Sequence, residues 1–148
     1  MNNPVPLYRD MLFRAAILLG PLYWLLLILL EAPDLQWNKP LLYPWWFLQL
    51  VVLYPVLEEL VFRGLVQELL RDYVSRARYG PLTLANLLTS MLFAAAHLVF
   101  NPTPAALLVF FPSLVFGYFK DRTAALTASI ILHGFYNAGF AWLFMNPL

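Results

Sequence analysis

Long apolar runs constrain the fold of this chain more than any other feature. They cover residues 12–30, 41–70, 82–100, 105–119 and 124–144, and a bilayer-spanning helix needs about 20 apolar residues at a rise of 1.5 Å each. Hydrophobic residues make up 62% of the 148 and charged residues 11%, which is too apolar for the small interior of a soluble domain of this length. The sequence therefore predicts an all-α integral membrane protein, a polytopic bundle of about five transmembrane helices.

Positive charges predict how the bundle is oriented. Cytoplasmic loops carry an excess of Lys and Arg, and seven such residues flank one side while Lys39 lies on the other; the seven are Arg9, Arg14, Arg71, Arg76, Arg78, Lys120 and Arg122. We therefore expect the N-terminus in the cytoplasm and the C-terminus outside. No cleavage site follows the first apolar run, which favours an uncleaved anchor over a signal peptide. No repeat or composition shift divides the chain, so one membrane domain is expected over residues 1–148.

Net charge and cysteine content exclude several classes of partner and chemistry. The formal net charge is +1, so no electrostatic attraction to nucleic acid is expected. The chain has no Cys, which excludes disulfides, thiolate nucleophiles and thiolate metal ligands. The remaining expected partners are membrane lipid and a protein or peptide.

Ionisable side chains interrupt the apolar runs. Each costs about 2.5–3.5 kcal/mol at the centre of a membrane helix on insertion scales, so their presence indicates mutual pairing or a water-filled site. Away from the ends of the runs they are Glu58, Glu59, Arg63, His97 and His133, accompanied by the polar Asn137. Counted from the nearest basic loop, Glu58, His97, His133 and Asn137 lie roughly 16–22 Å into the bilayer, which predicts a shared polar cluster in its outer half.

The acidic pair on the second run divides into two roles. Glu59 and Arg63 lie four residues apart on one helix face and are predicted to pair. Glu58 points about 100° away and is expected to lack a local counter-charge, which suits a general acid or base. Pro55 cannot donate to the carbonyl of Val51, so a kink is expected there.

The later runs contribute histidines. His133 and Asn137 lie four residues apart and are expected to aim at one point, although an interhelical hydrogen bond explains Asn137 equally well. Phe93 lies one turn before His97 and is expected to pack against the imidazole and orient it.

Three motifs in order resemble one family. Glu58-Glu59-Leu60-Val61-Phe62-Arg63 resembles the EExxxR motif of the CAAX-protease and bacteriocin-processing (CPBP) intramembrane proteases, whose members include the type II CAAX prenyl endopeptidase. Residues 93–97 resemble its FxxxH motif and residues 133–137 its HxxxN motif. The resemblance covers roughly residues 44–143, the expected catalytic core.

The resemblance implies a glutamic-type hydrolase in a bacterial cell membrane. Glu58 and His97 would activate water, His133 and Asn137 would form the oxyanion hole, and Glu59 with Arg63 would hold the site together. It implies cleavage of a peptide bond in a membrane-tethered protein or peptide without a cofactor.

Two alternatives stay open at this point. In the first, Glu58, His97 and His133 hold zinc in a membrane protease, although no HExxH motif is present. In the second, the cluster is not catalytic and serves as a proton relay or as a polar lock in an immunity or partner-binding protein.

Overall fold

The computed structural model describes residues 6–31, 39–74 and 77–144. Within these ranges the chain forms five helices and one two-stranded hairpin. The helices are α1 (Met11–Glu31), α2 (Pro44–Tyr73), α3 (Leu84–Phe100), α4 (Phe110–Thr123) and α5 (Thr127–Phe144). The hairpin joins β1 (Arg78–Tyr79) to β2 (Leu82–Thr83). Shorter helical turns occupy Leu7–Arg9, Lys39–Leu42 and Pro104–Val109.

Each predicted apolar run contains a helix, so the all-α prediction is confirmed for the described residues. Arg76, one of the predicted topology signals, lies outside them. Helix α1 begins after Asp10, whose Oδ1 atom accepts from the N–H groups of Leu12 at 2.9 Å and Phe13 at 3.3 Å. Such a side-chain cap satisfies N–H groups that have no partner within the helix.

Helix α2 contains two π-helical segments, Gln49–Leu53 and Leu60–Val66. After each segment an N–H bonds five residues back, from Tyr54 to Gln49 and from Gln67 to Phe62. Pro55 accounts for the first, because it has no N–H to continue the α-helical ladder. Where the sequence predicts a proline kink, the helix has a π-helical segment just before the proline.

The connection between α2 and α3 is more ordered than the loop predicted over residues 71–81. Helix α2 continues to Tyr73, and the hairpin turns at Gly80, whose φ of +63° suits a residue without a Cβ atom. Thr83 then starts α3, since its hydroxyl accepts from the N–H of Asn86 at 3.1 Å.

Helix α4 ends later than predicted. The sequence predicts a helix to residue 119 and a polar connection over residues 120–123, but these residues form the last turn of α4. The turn is stable because Lys120 is buried and forms an ion pair with Glu68 of α2. Ala124 ends the helix in the left-handed region at φ 54°.

Two helices among the described residues are long and apolar enough to cross a membrane, Met11–Leu30 and Pro44–Tyr73, and the shorter α3 is also apolar. Large apolar side chains on the first two are exposed, including Leu18, Leu29 and Leu57. That pattern is typical of helices whose solvent is lipid. The count of five spans and the cytoplasmic N-terminus stay predictions.

The chain divides into two compact units. One contains residues up to Pro55 together with those from Ile131 onward, and the other contains Val56–Ile130. Within Val56–Ile130, α3 packs against α4 and against the second half of α2, around Phe93, Phe116 and Phe119. The prediction of a single membrane domain over residues 1–148 stays a prediction.

Candidate active site

Glu59 and Arg63 form a buried ion pair on α2. The Arg63 Nε atom lies 3.4 Å from Glu59 Oε2, and neither side chain is exposed. The pairing predicted from the four-residue spacing is therefore confirmed. Removing one member of a buried pair leaves an uncompensated charge, which is strongly destabilising.

Ser113 of α4 binds the far end of the Arg63 guanidinium. The Arg63 Nη2 atom donates to both the carbonyl and the hydroxyl of Ser113, each at 2.8 Å. The rings of Phe93 and Phe116 lie 5.1 and 6.0 Å from the Arg63 Cζ atom, within cation–π range. Sequence reasoning missed Ser113. The available signal was a serine in an apolar helix, a residue type that favours interhelical hydrogen bonds.

Glu58 differs from Glu59 in its exposure. Glu59 is fully buried, whereas Glu58 is partly exposed. Arg63 interacts electrostatically with Glu58 as well as with Glu59, so the expectation that Glu58 lacks a local counter-charge is wrong. The π-helical segment Leu60–Val66 gives the physical reason. With i→i+5 bonding each turn is wider, so residues five apart, such as Glu58 and Arg63, lie near the same face of the helix. Glu59 is thus the fully buried carboxylate, and Glu58 the partly exposed one.

The ring of His97 is fixed by its own helix. The predicted packing of Phe93 against His97 is confirmed, with ring centroids 4.4 Å apart. The Nδ1 atom of His97 lies 3.0 Å from the carbonyl oxygen of Phe93. A carbonyl only accepts, so in this hydrogen bond Nδ1 carries the proton and donates. In the neutral ring Nε2 is then the basic nitrogen, available to accept a proton or orient water.

Further polar side chains that sequence reasoning missed are buried in the same unit; they are Gln67, Asn86, Ser90 and Ser129. The Gln67 Nε2 atom donates to the Gly117 carbonyl at 3.1 Å and to Asp121 Oδ1 at 2.8 Å. The Asn86 Nδ2 atom donates to the Leu114 carbonyl at 3.0 Å. Gly117 makes this possible, because an added Cβ atom would overlap the Asn86 side chain. These bonds fasten α2 and α3 to α4.

Asn137 of α5 makes the interhelical hydrogen bond that the sequence analysis left open. Its Nδ2 atom donates to the carbonyl of Leu50 at 2.9 Å. The Tyr54 N–H, four residues after Leu50, bonds to Gln49 instead, and the fifth residue is Pro55, which has no N–H. The π segment thus leaves the Leu50 carbonyl to Asn137. An amide nitrogen has two hydrogens, so this bond occupies one of them.

Gly134 brings the backbones of α5 and α2 together beside this bond. An added Cβ atom at Gly134 would lie 2.7 Å from the Val51 carbonyl oxygen, closer than real side chains approach. His133, the preceding residue, is 3% exposed. The HxxxN segment of α5 is therefore packed closely against α2 at Val51.

The structure places the predicted site residues in two groups. Glu58, Glu59, Arg63, Phe93 and His97 belong to Val56–Ile130, and His133 and Asn137 belong to the other unit. The sharing of one pocket by all of them stays a prediction. In the part of the chain that the structure describes, no group of three or more His, Asp or Glu side chains is arranged to hold a metal ion.

Comparison with known proteins identifies one family. A family model described as Type II CAAX prenyl endopeptidase Rce1-like matches residues 40–139, about two-thirds of the chain and all three polar motifs. Comparison with curated proteins and with solved structures finds no match. The predicted resemblance to the CAAX proteases is thereby confirmed.

Proposed function

The chain belongs to the type II CAAX prenyl endopeptidase Rce1-like family, and from this membership we propose that it cuts a peptide bond in a membrane-associated protein or peptide. The family is one of membrane-embedded proteases. The observation that carries the proposal is the family match, which spans residues 40–139 and so includes Glu58, His97 and His133.

Glu58 and His97 are the proposed activators of the attacking water. Glu58 is the partly exposed carboxylate of its pair, and His97 has its Nδ1 atom committed to the Phe93 carbonyl. In the proposed step Glu58 takes a proton from water that His97 Nε2 orients, and the new hydroxide attacks the scissile carbonyl carbon. Proton transfer to a positioned side chain contributes about 100- to 10,000-fold to such reactions.

His133 and Asn137 are the proposed donors to the oxyanion. Asn137 keeps a second Nδ2 hydrogen beyond the one given to Leu50, and His133 would donate a ring N–H. The proton on Glu58 would then pass to the leaving amine as the bond breaks. Loss of one oxyanion donor typically costs about 100- to 1,000-fold in rate.

Glu59, Arg63 and Phe93 have a supporting role in this proposal. Glu59 and Arg63 form an ion pair that is inaccessible to solvent. In this proposal the pair holds the α2 turn that carries Glu58. Phe93 contacts both the guanidinium and the imidazole. A substitution in this group would act on the geometry of Glu58 and His97 without removing a reacting atom.

The proposed setting is a bacterial cell membrane, with five spans and a cytoplasmic N-terminus. The exposed leucines of α1 and α2 would contact lipid. The proposed substrate has a membrane-associated tail, because the CAAX protease family implies a membrane-associated protein substrate.

Cleavage of defined peptides by protein in lipid vesicles tests the proposal. The probes are a peptide ending in Cys-aliphatic-aliphatic-X with a farnesylated Cys, and the same peptide without the lipid. The Glu58→Gln variant should lose at least about 100-fold in kcat, because an amide cannot accept the proton. Asp72→Asn, which removes an exposed carboxylate from the same helix, should keep the wild-type rate. Equal cleavage by wild type and Glu58→Gln would contradict the assigned base.

A strong chelator distinguishes the proposed mechanism from the zinc alternative. Water activated by Glu58 and His97 alone predicts an unchanged rate after prolonged chelation. Loss of cleavage that added zinc restores would instead assign Glu58, His97 and His133 as ligands.

A further inference from the structure

Helix α1 lies outside the matched range of residues 40–139, yet it is bonded directly to α5. The hydroxyl of Tyr136 donates to the carbonyl of Ala16 at 2.9 Å in a buried hydrogen bond. In return, the indole Nε1 atom of Trp24 donates to the carbonyl of Tyr136 at 3.0 Å. One residue of α5 is thus both donor and acceptor toward α1.

Two glycines allow the helices to approach closely at these bonds. An added Cβ atom at Gly139 would overlap the Trp24 indole, and one at Gly20 would lie 2.7 Å from the Phe135 ring. The rings of Trp24 and Phe135 contact each other, with centroids 5.1 Å apart. We call this set the Tyr136 clasp; its members are Ala16, Gly20, Trp24, Phe135, Tyr136 and Gly139.

The clasp coincides with the HxxxN segment. Tyr136 lies between His133 and Asn137, and Asn137 is itself bonded to the Leu50 carbonyl of α2. Successive residues of a helix point about 100° apart, so these two bonds leave α5 in different directions. Bonds to one neighbouring helix alone would let α5 rotate about them. Bonds from Tyr136 to α1 and from Asn137 to α2 together fix the rotation of α5 about its axis and its position along that axis.

We propose that α1 positions His133 and Asn137 through the Tyr136 clasp, which makes α1 part of the catalytic machinery and Tyr136 and Trp24 positioning residues. Its kinetic consequence rests on the proposed function. The effect on the His133 ring does not, because it follows from the contacts alone.

Nitrogen-15 NMR of the histidine rings tests the placement directly. The chain has only two His, so protein labelled at histidine in detergent gives one ring signal set from His133 and an internal reference from His97. Tyr136→Phe removes only the hydroxyl, and Trp24→Phe removes the indole donor while keeping a ring. Both should shift the His133 signals and leave those of His97 in place. The matched controls Tyr73→Phe and Trp45→Phe change exposed residues and should shift neither.

The same variants should separate kcat from KM. Because the oxyanion donors act only in the transition state, kcat should fall by about tenfold in Tyr136→Phe while KM changes by less than roughly twofold. Unmoved His133 signals in both variants, equal shifts of the two histidines, or a kcat equal to wild type would overturn the proposal. A wild-type protein without cleavage activity would contradict the proposed function, and the NMR result would then decide the clasp by itself.

Discussion

Two regions of the molecule hold their polar residues in different ways. Around Arg63 the bonds involve charged groups, since the guanidinium and Glu59 are fully buried and Ser113 accepts twice from the same nitrogen. Around Tyr136 and Asn137 the donors are neutral and every acceptor is a backbone carbonyl. The first arrangement depends on matched charge, and the second depends on how closely the backbones approach.

The difference predicts opposite sensitivities. A buried charge that loses its partner is strongly destabilising, so the Arg63 region should not tolerate a change of charge. Neutral interhelical hydrogen bonds in membranes are worth about 0.6 kcal/mol on average, so the α5 region should tolerate the loss of one bond. Its glycines, however, leave no room for added atoms.

The largest effect is expected from Arg63→Met. It leaves the buried Glu59 carboxylate without its cation, and the free energy of unfolding should fall by about 3–5 kcal/mol. Denaturant titration in mixed micelles measures this change. Arg78→Met, at an exposed position, should change it by less than about 0.5 kcal/mol. Similar losses of unfolding free energy in both variants would contradict the claim that the Arg63 region depends on matched buried charge.

A smaller effect is expected from Gly134→Ala. The added methyl would meet the Val51 carbonyl at 2.7 Å, and overpacking of this kind costs about 1–3 kcal/mol. Gly64→Ala is the matched control, since its Cβ atom would meet Leu126 Cδ1 at 3.5 Å and the Glu59 carbonyl oxygen at 3.9 Å, both ordinary van der Waals distances. The control should be neutral or stabilising by up to about 1 kcal/mol, because alanine favours a helix. Thermal unfolding of both variants in one detergent makes the measurement, and equal melting temperatures would contradict the close approach of α5 and α2.

The smallest effects sharpen the contrast between charged and neutral bonds. Ser113→Ala removes one of two acceptors from Arg63 and should cost about 1.5 kcal/mol, whereas Tyr136→Phe should cost about 0.6 kcal/mol. Both keep the helix and lose one hydroxyl, so the same titration compares them. A larger loss in Tyr136→Phe than in Ser113→Ala would reverse the assignment of the two regions.

The sequence was sufficient for the features that depend on local spacing. Apolar runs predicted the helices, and the four-residue spacing predicted both the Glu59–Arg63 pair and the contact of Phe93 with His97. The pairing of Glu59 with Arg63 could be predicted from the sequence because both partners lie on one helix.

Features that depend on which helices contact each other could not be predicted from spacing along the chain. Ser113 binds Arg63 from 50 residues away, and spacing along the chain carries no information about that pairing. The extension of α4 to Thr123 depends on Glu68 of another helix, which forms an ion pair with Lys120. The π-helical segments also escaped prediction, since an apolar helix shows no periodicity that distinguishes four-residue from five-residue bonding. They matter most at Glu58, where the expectation of an isolated carboxylate was wrong.

Single-turnover cleavage in water enriched in oxygen-18 tests the central claim most directly. With enzyme in excess over the farnesylated peptide, direct attack by water that Glu58 activates predicts one oxygen-18 atom in the new terminal carboxylate, measured by mass spectrometry. A first-turnover product that carries only oxygen-16 would show that the oxygen came from an enzyme carboxylate, and would contradict the assignment of Glu58 as a base.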